Sequence, residues 1–172
     1  MKRWTIVVIS TAAVLMSAPA ATLAGDAFLK LGINTNSDLG GFSDRWFASV
    51  GSDWGAFGDH GFIGLEFQGA YHSTSELGLS VKAVPANVFV NVKWKSEAEE
   101  FRPYVGGGVG LLSTYVEVSG LGVSENEWVK DAGFQFMGGL ELNRQYVVEF
   151  MGQRVFESNT DWLWSVLFGI RF

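Results

Sequence analysis

Hydrophobic and polar residues alternate with period two along most of the chain after residue 25. In the last segment, bulky apolar residues occupy every second position, namely Trp164, Val166, Phe168, Ile170 and Phe172. Small or charged residues stand between them, including Ser165, Gly169 and Arg171. Successive side chains of a β-strand point to opposite faces, so this pattern predicts a strand with one apolar and one polar face.

Eight segments of this kind follow one another, separated by clusters of Gly, Asp, Asn and Ser. They are predicted at about residues 27–35, 45–54, 62–72, 84–95, 102–116, 128–142, 145–156 and 162–172. An even number of antiparallel strands places both termini on one side. The connections on that side are 55–61, 96–101 and 143–144; those on the other side are 36–44, 73–83, 117–127 and 157–161. None of them is large, so we expect little surface beyond the strands.

The bulk of the apolar side chains indicates which face points outward. One face of the second segment carries Trp46, Val50 and Trp54, and the fourth segment has a similar face that ends at Trp94. The interior of an eight-stranded barrel is too narrow for so many large rings. We therefore predict an all-β fold, an eight-stranded antiparallel up-and-down transmembrane β-barrel.

Aromatic residues near the segment ends fit the two interfaces of a membrane. They are Trp46, Trp54, Tyr71, Trp94, Trp128, Tyr146 and Trp162. The alternative is a soluble barrel, which has the same alternation with inside and outside exchanged.

Residues 1–24 have the pattern of a secretory signal peptide. Lys2 and Arg3 precede an apolar stretch over residues 4–16, and small residues follow up to Ala24. We expect cleavage before Gly25, or alternatively after Ala20, which leaves residues 25–172 as one barrel domain. An uncleaved membrane anchor is the other interpretation.

Charge and composition exclude several classes of function. Without Lys2 and Arg3, the chain has 10 of its 12 basic residues and 18 acidic residues, which gives a net charge of −8. Nucleic acid is therefore not an expected partner. The chain has no cysteine and two histidines, so we predict neither a disulfide, nor a metal site, nor a cofactor.

Six charged residues share the polar parity of the predicted strands. Three are basic and three are acidic: Lys30, Lys93, Arg171, Glu66, Glu141 and Glu149. Buried charges persist when they are paired. We predict that they form a balanced ion-pair network that closes the lumen; a narrow pore is the alternative.

The run Phe101-Arg102-Pro103-Tyr104-Val105, followed by Gly at 106, 107, 108 and 110, resembles the fifth strand of small OmpA/OmpX-like, porin-family outer-membrane barrels. In that family a Pro-Tyr or Pro-Phe step precedes alternating glycines. The ending at Phe172 is similar as well. The resemblance implies an outer-membrane location, and a terminal signal at Phe168, Ile170 and Phe172 that the barrel assembly machinery reads. The family includes structural proteins, adhesins, narrow channels and a few lipid-modifying enzymes, so the fold does not specify the function.

Lys130 and Arg154 are basic residues at positions of outward parity. A cation near the membrane surface costs little, and it can pair with phosphate. We predict that both contact lipopolysaccharide, with a plain interfacial anchor as the alternative.

The resemblance leaves a lipid A deacylase to be considered, since such enzymes carry a His-x-Ser-Asn motif. Here Phe156 stands in place of the histidine before Ser158 and Asn159, so the serine lacks a general base. His72 and Ser73 are a second candidate, but adjacent strand residues point to opposite faces. We therefore predict a protein without catalytic activity, which has a structural or surface-interaction role. We also expect it to be a monomer.

Overall fold

The computed structural model describes residues 26–35, 46–76, 79–120, 123–157 and 161–172. The regular elements of these residues are all β-strands. They are β1 (Asp26–Asn34), β2 (Trp46–Phe57), β3 (Gly61–Ala70), β4 (His72–Glu76), β5 (Leu79–Lys95), β6 (Phe101–Gly120), β7 (Val123–Leu142), β8 (Tyr146–Val155) and β9 (Leu163–Arg171). The predicted signal peptide and the connection 36–44 lie outside the described residues.

The strands form one closed antiparallel sheet. Strands that follow one another in sequence pair, except that β3 and β4 do not pair with each other, and β1 also pairs with β9, which closes the ring. β3 and β4 are separated only by Tyr71 and both pair with β5, so together they form one strand of the wall. The barrel therefore has eight strands, which confirms the fold predicted from the alternation.

Short connections lie at the end of the barrel where β1 begins and β9 ends. Gly58, in the turn between β2 and β3, has a φ of 61°. Asn143 and Arg144, between β7 and β8, have φ values of 50° and 55°. Tight hairpin turns require such left-handed backbone, and Asn tolerates it well.

On the side away from the termini, four strands of the wall extend further than the alternation predicted. β6 and β7 have 20 residues each, about twice the length that crosses a membrane. Residues 72–76 pair with 79–83, and residues 116–120 pair with 123–127. The loops predicted at 73–83 and 117–127 are thus wrong for most of their length. We call residues 72–76, 79–83, 112–120 and 123–131 the extension; its surface also corrects the expectation that little lies beyond the strands.

Side-chain polarity reverses along β6 between the barrel wall and the extension. The outward face of β6 is apolar up to Leu111, which is 68% exposed, and includes Ser113 and Glu117 beyond it. The opposite face of β6 carries Val116 and Val118 there. The change from Leu111 to Ser113 marks the upper limit of the apolar belt. Because β6 continues to alternate beyond this limit with its faces exchanged, the sequence pattern of this strand did not show it.

The outer wall of the barrel is apolar and its interior is largely polar, as predicted. Trp46 and Trp94 are 68% and 56% exposed, whereas Glu66, Lys93 and Glu149 are buried. The interior also holds large apolar side chains that the parity analysis did not single out. They are Phe28, Phe47, Phe89, Tyr104, Met137, Met151 and Leu167.

Glycines on the inner face make room for these large interior groups. Gly51 lies opposite Phe28, and a Cβ atom there would be 2.6 Å from the Phe28 ring. Gly110 has the same relation to Phe89, also at 2.6 Å. Large side chains thus lie opposite glycines on neighbouring strands, which lets a narrow barrel hold them.

Candidate functional site: the charged lumen

A central layer of charge is organised around Lys30. Its Nζ atom lies 2.6 Å from Oε1 of Glu149 and 2.9 Å from Oε1 of Glu66. The hydroxyl of Tyr104 donates to Oε2 of Glu149 at 2.6 Å. Asn91 donates from Nδ2 to the second oxygen of Glu66 at 3.0 Å, and the Ser49 hydroxyl donates to the first. Both carboxylates thus have an ammonium partner and neutral donors.

A second layer, nearer the chain termini, is organised around Asp53. Its carboxylate accepts hydrogen bonds from Lys93 at 2.9 Å, Lys95 at 2.8 Å and Arg171 at 3.1 Å. Glu141 accepts from Arg171 and forms an ion pair with Lys95 at 2.9 Å. Two further groups complete this layer at its rim: Asp26, 3.1 Å from Arg171, and Arg102, 3.6 Å from Glu141.

The ring of Phe28 separates the two layers. The Nζ atoms of Lys30 and Lys93 lie 4.6 Å and 4.5 Å from the ring centre. A cation over an aromatic face is stabilised by the ring quadrupole. Phe28, although apolar, therefore stabilises one lysine in each of the two charged layers.

A layer of amides lies on the other side of the central charges. Gln135 donates to Asn91 at 2.8 Å and accepts from Gln68 and Gln153, each at 2.9 Å. Met151 packs among them, with its sulfur 3.5 Å from Gln68 Nε2. Along the axis from the termini, the lumen contains the Asp53 layer, the Lys30 layer and the amide layer.

The formal charges of the buried groups cancel. Among the residues that the structure describes, eight charged side chains are no more than 7% exposed, four basic and four acidic: Lys30, Lys93, Lys95, Arg171, Asp53, Glu66, Glu141 and Glu149. Such an arrangement fills a narrow lumen with polar groups that are paired with one another and carry no net charge. It offers no buried net charge that would draw an ion inward.

The structure brings the six predicted charges together in two groups. Lys30, Glu66 and Glu149 meet in the central layer. Lys93, Glu141 and Arg171 lie around Asp53, a residue that the sequence analysis missed together with Lys95. The alternation could have identified both as inward-facing, because residues two apart in a strand share a face. Asp53 is two residues from Gly51, and Lys95 is two residues from Lys93; Gly51 and Lys93 both face inward.

The predicted basic contacts lie apart on the outer wall. Lys130 is exposed and pairs in register with Ser113, just beyond the apolar belt. Arg154 is half-buried and lies opposite Phe134, four residues along β7 from Lys130. This separation is about 13 Å along a strand.

The terminal residues lie on the outer wall of β9 and just beyond it. Phe168, Ile170 and Phe172 are 61%, 44% and 75% exposed. The backbone N–H of Phe172 donates to Ala27 at 3.0 Å, and Ala27 donates back at 3.2 Å. The backbone of Phe172 is therefore held by hydrogen bonds that do not involve its side chain, which is mostly exposed.

Of the candidate hydrolytic residues, His72 and Ser73 lie on opposite faces of one strand. His72 is buried and begins β4, so Ser73 points to the opposite face of a continuing strand. Ser158 and Asn159 lie outside the described residues. His60 contacts Glu97 at 3.2 Å and stacks on Trp94.

The described residues contain no group of three or more His, Asp or Glu side chains placed to hold a metal ion. No helix among them has the length and hydropathy needed to cross a bilayer.

No protein-family model matches the sequence. No curated protein matches it either.

Solved structures do match. Neisserial surface protein A is similar with a TM-score of 0.55 and 11% identity, over 85% of this chain and 94% of that one. The N-terminal β-barrel domain of Pseudomonas aeruginosa OprF has a TM-score of 0.52 and 10% identity, over 86% and 98%. Ail of Yersinia pestis, in complex with the heparin analogue sucrose octasulfate, has a TM-score of 0.51 and 15% identity, over 86% and 99%. At these identities the likeness concerns the fold, and this chain therefore has the closed eight-stranded fold of the small outer-membrane β-barrels.

Proposed function

We propose that this protein is an integral outer-membrane barrel whose lumen is closed by ion pairs, and whose role is structural or one of surface interaction. The cancelling charge of the lumen carries the proposal. Four basic and four acidic groups are buried there, and each has a partner of opposite sign within hydrogen-bonding or ion-pair distance. Removing one member of a buried pair costs about 3–5 kcal/mol, so the layers resist opening.

The apolar belt supports a location in the membrane. Residues such as Trp46, Val90, Trp94 and Leu111 are between 52% and 68% exposed and form a continuous outward face. Contiguous apolar surface of this extent is unfavourable in water and favourable against acyl chains. We propose export through a signal peptide at residues 1–24 and insertion into the outer membrane.

Insertion is proposed to use the terminal segment as its recognition signal. The exposed side chains of Phe168, Ile170 and Phe172 suit recognition by the barrel assembly machinery, because they contribute little to the packing of the lumen. Since one chain closes the ring by itself, we propose a monomer.

Lipopolysaccharide is the proposed partner of Lys130 and Arg154. Both stand on the outward face, and a phosphate group is the natural partner of a cation there. No catalytic role and no cofactor are proposed, since His72 and Ser73 lie on opposite faces of β4 and do not form a nucleophile–base pair.

The test begins with purified protein in detergent, analysed by gel electrophoresis with and without boiling. A membrane barrel should migrate differently before and after boiling, and membrane fractionation should recover it with the outer membrane. Identical mobility, or extraction without detergent, would contradict the membrane location.

The same folded sample is then incorporated into a planar bilayer. We expect no large, steady conductance, because the charged layers fill the lumen. A steady conductance from a sample that passes the gel test would overturn the closed lumen while leaving the membrane barrel intact.

A further inference from the structure

An aromatic pair projects from the outward face of the extension. Tyr115 and Trp128 are register partners on β6 and β7, and their ring centres lie 5.4 Å apart at an angle of 56°. Trp128 is 55% exposed. Trp128 was predicted to begin a membrane strand, but it lies five residues after Val123, within β7.

A polar row separates this pair from the apolar belt. Ser113 and Lys130 are register partners, and they lie between Tyr115–Trp128 and the last apolar row, Leu111 and Ala132. Beyond the pair, the face continues with Glu117, which forms an ion pair with Lys82 at 3.0 Å. Apart from Tyr115, the neighbours of Trp128 on its own face are thus polar, and acyl chains do not explain its exposure.

The pair and Lys130 together form an exposed surface with two aromatic rings and one ammonium group. Residues two apart on one face of a strand are about 6–7 Å apart, so Lys130 lies close to Trp128. Aromatic faces pack against the C–H groups of a sugar ring, while Tyr and Trp retain a polar edge for its hydroxyls. An exposed ammonium beside them pairs with phosphate.

We infer that Tyr115, Trp128 and Lys130 bind the phosphorylated core oligosaccharide of lipopolysaccharide. The inference rests on the proposed outer-membrane location, because the row above the apolar belt then lies at the level of the core sugars. Lys130 engages a phosphate, and the two rings stack on an adjoining sugar. The site is a side contact with the surrounding leaflet and leaves the lumen uninvolved.

The experiment compares two forms of lipopolysaccharide by native mass spectrometry of the detergent-solubilised protein. One form carries the phosphorylated core, and the other ends at lipid A. We expect the core-bearing form to be retained about five- to tenfold more. W128A and K130Q should each bring the ratio of the two close to one, because each removes a contact to the core alone.

Matched variants on the opposite end of the barrel serve as controls. Trp94 is 56% exposed, and Arg144 is an exposed cation in a turn near the termini. W94A and R144Q should leave the ratio unchanged. Equal retention of both forms by the wild type, or an unchanged ratio in W128A, would overturn the inference. Neither result would alter the boiling-dependent gel mobility or the conductance, so the proposed function is tested separately.

Discussion

The ammonium of Lys30 on β1 reaches across β9 to the carboxylate of Glu149 on β8, at 2.6 Å. The residue beside Lys30 on the intervening strand is Gly169. Because glycine has no side chain, the bond passes over the seam where the first and last strands meet. The ion pair therefore connects β1 with β8 across the closure of the barrel, in addition to the backbone hydrogen bonds.

Replacing Lys30 by Met should strongly destabilise the barrel. It leaves Glu66 and Glu149 buried without their ammonium partner, so we expect a loss of about 3–5 kcal/mol in the free energy of unfolding. Urea unfolding in detergent micelles or liposomes measures it. K130M, at an exposed position on the outer wall, is the control and should change stability little.

A second substitution checks that the lost pair causes the effect. Adding E149Q to K30M removes one of the two stranded carboxylates. The double variant should be less destabilised than the sum of the single variants, because the residues share one interaction. Strict additivity would contradict the pairing.

The absence of a side chain at Gly169 should be necessary for the full stability of the barrel. A Cβ atom there would lie 2.6 Å from Cγ of Lys30, so G169A should cost about 1–3 kcal/mol through overpacking. At Gly55 no atom lies within 4 Å of the corresponding position, so G55A should be neutral or slightly stabilising. Unfolding curves of the two variants give the comparison, and equal effects would exclude the steric explanation.

Tyr104 should stabilise the barrel through its hydroxyl. It donates to Glu149 at 2.6 Å and is buried, so Y104F should cost about 1.5–3 kcal/mol, the range for a hydrogen bond to a charged group. Y146F, at a tyrosine that is 51% exposed, should have no measurable effect on unfolding. If both variants unfold like the wild type, the hydroxyl contributes nothing to stability.

The side chain of Phe172 should matter for assembly in cells and not for stability. It is 75% exposed, and the backbone pairing with Ala27 does not require it. F172A should lower the amount of folded protein in the outer membrane and refold into micelles as the wild type does. F101A, at a ring that is 61% exposed, should be normal in both assays. Slower refolding of F172A in micelles would indicate a structural role instead.

The alternation of side chains was sufficient to predict the barrel. Its period identifies strands, and the bulk of Trp46 and Trp94 identifies the outward face, because the interior of eight strands cannot contain them. The same parity predicts that Lys30, Glu66 and Glu149 lie on the inner face, where they form ion pairs.

Only the tertiary structure decided which charges meet, since parity places a residue inside without giving its height along the axis. The register between strands brings Asp53 of β2 next to Lys93 and Lys95 of β5, although 40 residues separate the first pair. The length of β6 was likewise hidden, because its part of the extension keeps the period of two and exchanges its faces. The length of β7 was hidden because residues 124–127 are all polar and resemble a loop. Local sequence therefore determined the strands and their outer face, while pairing across the barrel determined the composition of the two charged layers.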